Sequence, residues 1–387
     1  MEIRLNPAVR IHPPSEVIGD RWSAENILTR TRFTVSPQVA AALVAAARPQ
    51  TPEELARGLA AATAEAGRAP IAWAGLIDGL RERDLLVDDA ALGTDAELDW
   101  LVDVRRRWSE HGWHEAAEYH TLTFDYPCVD YTAAIAILED RDRMRGYQSD
   151  EPDTDRFKLD YADRSGIALP ELDEDLITTS ARDVWAGEVK PVPLDLEKLR
   201  TVVAAAFGIT GWIVPKTDSA PLLRRSSPSG GARNPTEGYV VVRDVPGIDP
   251  GWYHVTMQPF SLRRVGELPV DDDSLRRLFP NTVQRFPAHA RALLVLTCTF
   301  ERNMYRYREP RTYRTVHMDA GHVANAFRVA SRAAGLTSAI FYCDAATEIE
   351  AVLGLDGMAE GYMLTVAVAD GQDEELRIPA RRETSDV

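Results

Sequence analysis

Lysine is scarce in this chain: only Lys158, Lys190, Lys198 and Lys216 stand among 44 basic residues, against 60 acidic ones. A net charge of −16 excludes a surface that grips a nucleic-acid backbone, because such affinity comes from clustered Lys and Arg releasing counterions. Cysteine is nearly absent too. Cys128, Cys298 and Cys343 are odd in number, widely spaced and set among hydrophobic neighbours, which excludes a disulfide framework and a Cys-x-x-Cys metal site and reads them as core residues. No apolar run approaches the roughly 20 residues that cross a bilayer, and no charged-then-apolar opening resembles a signal peptide. The chain therefore reads as cytoplasmic, with no membrane and no nucleic-acid partner.

What is present is enough apolar material for two cores. A length of 387 residues with 45% hydrophobic content exceeds what one core organises. After a short arm, "SPQVAAALVAAA", "TPEELARGLAAATAEA" and "IAWAGLIDGLRERDLLVDD" each carry helical periodicity, the second with Thr51 and Glu54 in capping-box spacing. An apparent strand at "LLVDD" completes the pattern of a winged-helix-like domain over residues 1–94. Its third helix sets Asp78, Glu82 and Asp84 against Arg81 and Arg83. That balance does not complement phosphates, so the domain reads as peptide-docking or structural.

Residues 95–175 form an acidic, aromatic connecting region. His111, His114 and His120 raise the idea of zinc, but His-x-x-His without further ligands at recognised spacing describes solvated helix residues. The polar stretch "YQSDEPDTDRFKLDYADRSG" reads as a surface loop or linker. From residue 176 to 387 the pattern changes to an α+β domain. A helix ends near Gly208; "GYVVV", "WYHVT" and "RALLVLTCTF" are strands; "AGHVANAFRVASRAAG" is a helix burying Val323, Phe327 and Ala330; "TSAIFY", "AATEIEAVLG" and "YMLTVAVA" follow as strand, helix and strand.

Between helix and strand lies "RRSSPSGGARNPTEGYVVV". It lacks the Gly-x-Gly-x-x-Gly of a dinucleotide loop and the Gly-Lys-Ser/Thr of a P-loop, and Ser229 lacks the Gly-x-Ser-x-Gly elbow of a nucleophile. Gly230 and Gly231 remove side chains so that amides can face a flat ring or an anion, while Arg224, Arg225 and Arg233 supply positive charge. This combination suits a planar, anionic cofactor. A plain turn is the alternative.

"SPSGGAR", the following "P-x-E-x-Y-V-V-V", "RTYR" (311–314) and "DAGHVANAF…GL" (319–336) occur in the order found in azoline dehydrogenases. Over residues 176 to 370 the chain resembles this SagB and thiazole/oxazole-synthase branch of the FMN-dependent nitroreductase-like superfamily. The resemblance implies a central, mainly antiparallel sheet flanked by helices, FMN as cofactor, a homodimer, and oxidation of thiazoline or oxazoline rings in a precursor peptide beside a cyclodehydratase. It implies that Ser180 and Arg182 of "TTSAR" hold FMN, with Thr178 where the family has a first arginine and with Arg224 or Arg225 as replacement. It also implies that Pro228, Ser229, Gly230, Gly231 and Arg311 lie against the cofactor. The family's Lys-Tyr pair is here Arg306-Tyr307. Arginine stays protonated, so the base is Tyr307 or Tyr305, or the reaction differs: another flavin-dependent peptide desaturation, a dehydroamino-acid reduction, or a non-catalytic scaffold role. Tyr305, Tyr307 and Tyr313 also read as half-buried aromatics at a strand end.

Overall fold

The computed structural model describes residues 1–16, 19–126, 129–130, 132–214, 221–286 and 289–372. Cys128 and Lys216 lie outside the described residues. The chain divides into two compact units, Met1–Pro127 and Cys128–Val387. The expected connecting region at 95–175 is thus shared between them, its first part in the first unit and the remainder in the second.

The first unit contains β1 (Ile3–Leu5), β2 (Val9–His12), β3 (Trp22–Asn26), β4 (Thr31–Val35), α1 (Pro37–Ala45), α2 (Pro52–Glu65), α3 (Trp73–Arg81), β5 (Leu86–Asp88), α4 (Ala96–Ser109) and α5 (His114–Thr123). The "short arm" is in fact four strands: β1 pairs with β5, and β2-β3-β4 form an antiparallel sheet. These strands are only three to five residues long and send Ile3, Val9 and Ala24 into the core singly, so hydrophobic pattern alone misses them. Helix α2 starts as its sequence demands. Thr51 accepts from the Glu54 N–H, and the Glu54 carboxylate accepts from the Thr51 N–H at 2.9 Å. Leu43, Leu55, Ile77, Leu80, Leu85 and Leu86 close the core between helices and strands. His120 stacks on Trp108 at 4.7 Å and His114 faces Ser109; among the described residues no group of three or more His, Cys, Asp or Glu is arranged to hold a metal.

The second unit contains α6 (Ala134–Asp150), β6 (Gly166–Ala168), α7 (Ala181–Ala186), α8 (Leu196–Phe207), β7 (Ile209–Ile213), β8 (Leu222–Arg225), β9 (Thr236–Val242), β10 (Gly251–Met257), β11 (Phe260–Gly266), α9 (Asp272–Leu278), α10 (Pro280–Arg285), β12 (Ala292–Thr299), α11 (Glu301–Arg306), α12 (Thr312–Ala333), β13 (Thr337–Phe341), α13 (Ala346–Leu353) and β14 (Glu360–Ala369). Seven strands form one sheet in the order β13-β14-β12-β9-β10-β11-β6, every neighbouring pair antiparallel.

Both faces of this sheet are covered, which explains the apolar runs Tyr239–Val242 of β9 and Ala292–Leu296 of β12. Alternation sends Val240, Val242, Leu294 and Leu296 to one side against α8 and α12. Tyr239, Val241, Leu293 and Val295 go to the other, against α9 and α13. Cys298 lies in the first of these layers. Cys343 is exposed, contrary to its reading as a core residue, because it stands past the end of β13. The polar stretch before β6 is also more than a surface loop: Tyr161 is buried, and Lys158 reaches Glu360 at 2.7 Å and Tyr239 Oη at 3.0 Å. Among the described residues no helix is long and apolar enough to cross a membrane.

Candidate functional site

The segment between β8 and β9 returns sharply into a strand buried along its whole length. Ala232 and Asn234 take positive φ (51° each), as does Gly231 (60°), and the Asn234 side chain ties the turn down by donating to the carbonyls of Leu223 (2.7 Å) and Ala232 (3.0 Å). A cavity of about 670 Å³ opens on this segment, lined by residues 222–229 and 231–234 with Ile213, Asp140, Arg306 and Tyr307. Its size is that of a small-molecule site.

Arg225 is the unusual wall residue. It is buried, its Nη1 donates to the Thr236 carbonyl at 3.0 Å, and its guanidinium stands 5.9 Å from the Phe207 ring centre. Its Nε and Nη2 have no partner. Burial pushes its pKa down to about 10, so it remains a cation in a place where unmet donors are expensive. A guanidinium in that state fits an anionic group. Arg224 is exposed on the same cavity. Arg233, by contrast, is occupied internally: Nε donates to the Arg302 carbonyl at 2.6 Å, and Nη2 faces Asp153 and Thr154.

Both glycines answer to close packing, and Gly231 also lines the cavity. A methyl group on Gly230 would overlap the Thr315 methyl, and one on Gly231 would overlap the Tyr307 hydroxyl. Ser229 and Gly230 are also committed. Ser229 Oγ donates to Asp319 Oδ2 at 2.6 Å, Gly230 N–H points at both Asp319 oxygens at 3.1 Å, and Ser229 Oγ accepts from the Asn234 N–H at 2.9 Å. His322 Nδ1 lies 3.2 Å from the Pro228 carbonyl. Thr315, Asp319 and His322 follow each other at i, i+4 and i+7 on α12, hence on one face. Burial raises the Asp319 pKa against the opposing pull of Ser229, Gly230 and His322.

Arg306 and Tyr307 close the other side of the cavity, on the short helix α11 and its end rather than at a strand end. Arg306 Nη2 donates to both oxygens of buried Asp140 at 2.6 and 2.8 Å, and its guanidinium lies 5.0 Å from the Tyr307 ring centre. Among the described residues lining this cavity, Asp140 is the one carboxylate. Tyr305 does not join them. It is buried, its Oη is unpartnered, and it lines a separate cavity of about 920 Å³ with Lys158, Arg302 and Glu360. Burial raises its pKa, the wrong direction for a base.

Ser180 caps α7 by accepting from the Asp183 N–H at 3.1 Å, and Arg182 is exposed in the first turn of that helix. Neighbours of both, Thr179, Ala181 and Val184, line a third cavity of about 500 Å³ that shares Ser226, Ser227 and Pro228 with the first. Arg311 is exposed at the start of α12. Tyr313 is half-exposed and packs edge-on against His317 at 4.5 Å. Asp140 and Thr315 carry no signal in sequence. Asp319 and His322 do, since both fall within the "DAGHVANAF" stretch.

Behind the site, β9 carries a buried ion cluster. Glu237 meets Arg302 Nη2 at 2.5 Å and His254 Nε2 at 3.0 Å; Arg302 also donates to the carbonyls of Asn234 (2.9 Å) and Asp155 (3.0 Å). Burial alone would raise the Glu237 pKa, but Arg302, His254 and Arg225 hold it well below the usual carboxylate range.

Residues 188–371 match the nitroreductase family. The trifolitoxin-processing protein TfxB of Rhizobium leguminosarum bv. trifolii is 30% identical over 275 residues, covering 66% of this chain and 70% of that protein. A protein of Methanocaldococcus jannaschii named as a nitroreductase is 31% identical over 177 residues, covering 45% of this chain and 82% of that one. Among solved structures, a nitroreductase-named protein of Anabaena variabilis gives a TM-score of 0.40 at 21% identity, covering 61% of this chain and 47% of that chain. A chain of the E. coli microcin synthetase McbBCD complex gives 0.39 at 17% identity, covering 70% and 97%.

Proposed function

The chain belongs to the nitroreductase family, a family of oxidoreductases, and from that premise we propose that it is an FMN-dependent dehydrogenase in the maturation of a ribosomally made peptide, oxidising thiazoline or oxazoline rings to thiazole or oxazole. The peptide part of this reading is supported by the similarity to a trifolitoxin-processing protein. The cofactor part rests on one observation, the buried guanidinium of Arg225, a residue lining the 670 Å³ cavity, whose Nε and Nη2 have no hydrogen-bond partner. Arg225 and Arg224 would take the phosphate, for which a guanidinium fork is well shaped. Ser180 and Arg182, which adjoin residues lining the neighbouring cavity, would add a hydroxyl and a charge, Pro228 would lie between the two cavities, and Arg311 would add a further charge.

Bound FMN would supply the two-electron acceptor that aromatisation requires. The chain's own contribution is proton handling and orientation. Tyr307 is the proton-handling group, its oxygen held beside Gly231 and its ring beside the Arg306 guanidinium. Arg306 stays protonated and cannot itself accept a proton; Asp140 fixes where that charge sits. Two protomers would complete the flavin site in a homodimer, a cyclodehydratase would supply the azoline substrate, and the first unit would dock the precursor peptide as a strand added to β2 or β4.

Purification tests the reading. The protein is expected to be yellow and to release FMN on denaturation, and Arg225→Met is expected to fold and be colourless. A wild-type protein that is colourless and rejects added FMN overturns the enzyme reading and leaves a scaffold for a partner enzyme.

A further inference from the structure

We propose that Asp319 is the positioning residue of the cofactor loop: through Ser229 and Gly230 its ionised carboxylate holds residues 228–231 in the form that retains FMN. The inference rests on the FMN reading of the same cavity. Three hydrogen-bond contacts between one carboxylate and two consecutive loop residues, at 2.6, 3.1 and 3.1 Å, are more than a surface turn needs. They consume the Ser229 hydroxyl and the Gly230 amide, so these groups are anchors and the arginines are left to meet the anion.

Thr315 and His322 complete the grip on either side, one by contact with Gly230 and the other at the Pro228 carbonyl. The clamp and the cavity are therefore mechanically joined. Ser226 and Ser227 alone separate Arg225 from the clamped residues, and Gly231 at their end bears on Tyr307.

The carboxylate is an expensive anchor, which separates this role from plain structural support. Burial raises the Asp319 pKa, so its ionised form at neutral pH works against the stability of the fold. Around it, His322 stands on the same helix; the loop brings no charge at Ser229 or Gly230; and Cys298 on β12 is kept a thiol, its pKa pushed up to about 12 by burial. A neutral amide of the same shape removes the electrostatic penalty and also removes an acceptor. Asp319→Asn is accordingly expected to leave the thermal midpoint at pH 7.5 equal to or above wild type while weakening FMN binding about tenfold or more, since charge-assisted bonds are the stronger kind.

The test is titration of FMN by fluorescence quenching with wild type, Asp319→Asn and Ser229→Ala, beside thermal melts. The ratio of wild-type to Asp319→Asn affinity cancels the titration of the FMN phosphate itself, and it should fall towards one in acid as Asp319 is protonated. Hydrogen exchange of the ligand-free protein reads the clamp independently of FMN: the amides of Gly230 and Asn234 should be protected in wild type and exchange faster in Asp319→Asn. FMN affinity within about twofold of wild type overturns the proposal, as does a parallel loss of affinity and melting temperature, or unchanged amide protection. A wild-type protein that binds no FMN but shows the exchange difference overturns the FMN reading and confines Asp319 to holding the loop.

Discussion

Tyr307 carries three constraints at one side chain: a ring under Arg306, an oxygen packed on Gly231, and a face on the arginine-lined cavity. Tyr307→Phe keeps the ring and removes the oxygen. Turnover of the azoline peptide is expected to fall by about 10²-fold or more, the usual worth of a positioned proton acceptor, with FMN still bound in the absorbance spectrum. Unchanged turnover removes Tyr307 from the chemistry. At this scale the sequence was a fair guide to which residues gather and a poor one to what each does. Arg225, Gly231, Arg306 and Tyr307 do line one cavity. Yet Arg233, equal to its neighbours on paper, is taken up by Arg302, Asp153 and Thr154, and Tyr305, two residues from Tyr307, faces another cavity. Side-chain direction, on a loop for Arg233 and on α11 for Tyr305, decided both, and a one-dimensional pattern contains no such direction.

Among the elements, α2 shows how far local rules reach. Its capping box is readable from Thr51 and Glu54 alone, and Thr51→Ala is expected to lower stability by about 1 kcal/mol, measured by chemical denaturation of the whole chain. An unchanged midpoint would mean that packing of Leu55 and Leu59 suffices without the cap. The second half of helix α12 was legible from a 3.6-residue apolar period ending at Gly335, but its start at Thr312, eight residues before the expected one, was not. Nor were the strands β1 to β4. They are three to five residues long, and their pairing joins residues such as Ile3 and Asp88 whose separation in sequence leaves no local trace. Likewise β6 is three residues long, and its place beside β11 follows from tertiary pairing alone.

For the molecule as a whole, acid response follows from two carboxylates shifted in opposite directions. Glu237 is held below its ordinary value of 4.5, so it stabilises the fold above about pH 4.5, and that contribution is lost as pH falls towards its folded-state pKa. Asp319 is raised above its ordinary 3.8, so protonating it in mild acid relieves a penalty. The second unit is therefore expected to hold its denaturation midpoint into mild acid and then lose it steeply. Glu237→Gln strands Arg302 without its counter-charge and should lower stability by about 3 kcal/mol or more at pH 7, the gap to wild type narrowing in strong acid. A gap that is the same at every pH would assign the loss to packing rather than charge.

The position of Gly166–Ala168 at the rim of the seven-stranded sheet has one more consequence. With these residues in place, the outer hydrogen-bonding groups of β11 opposite Gly166, Ile167 and Ala168 are answered within the molecule. Stripped of that three-residue hem, β11 would offer its bare backbone to any passing chain, and sheets so uncovered tend to grow by recruiting copies of themselves. The stretch joining α6 to the hem, anchored at Lys158 and Tyr161, thus guards solubility as well as fold.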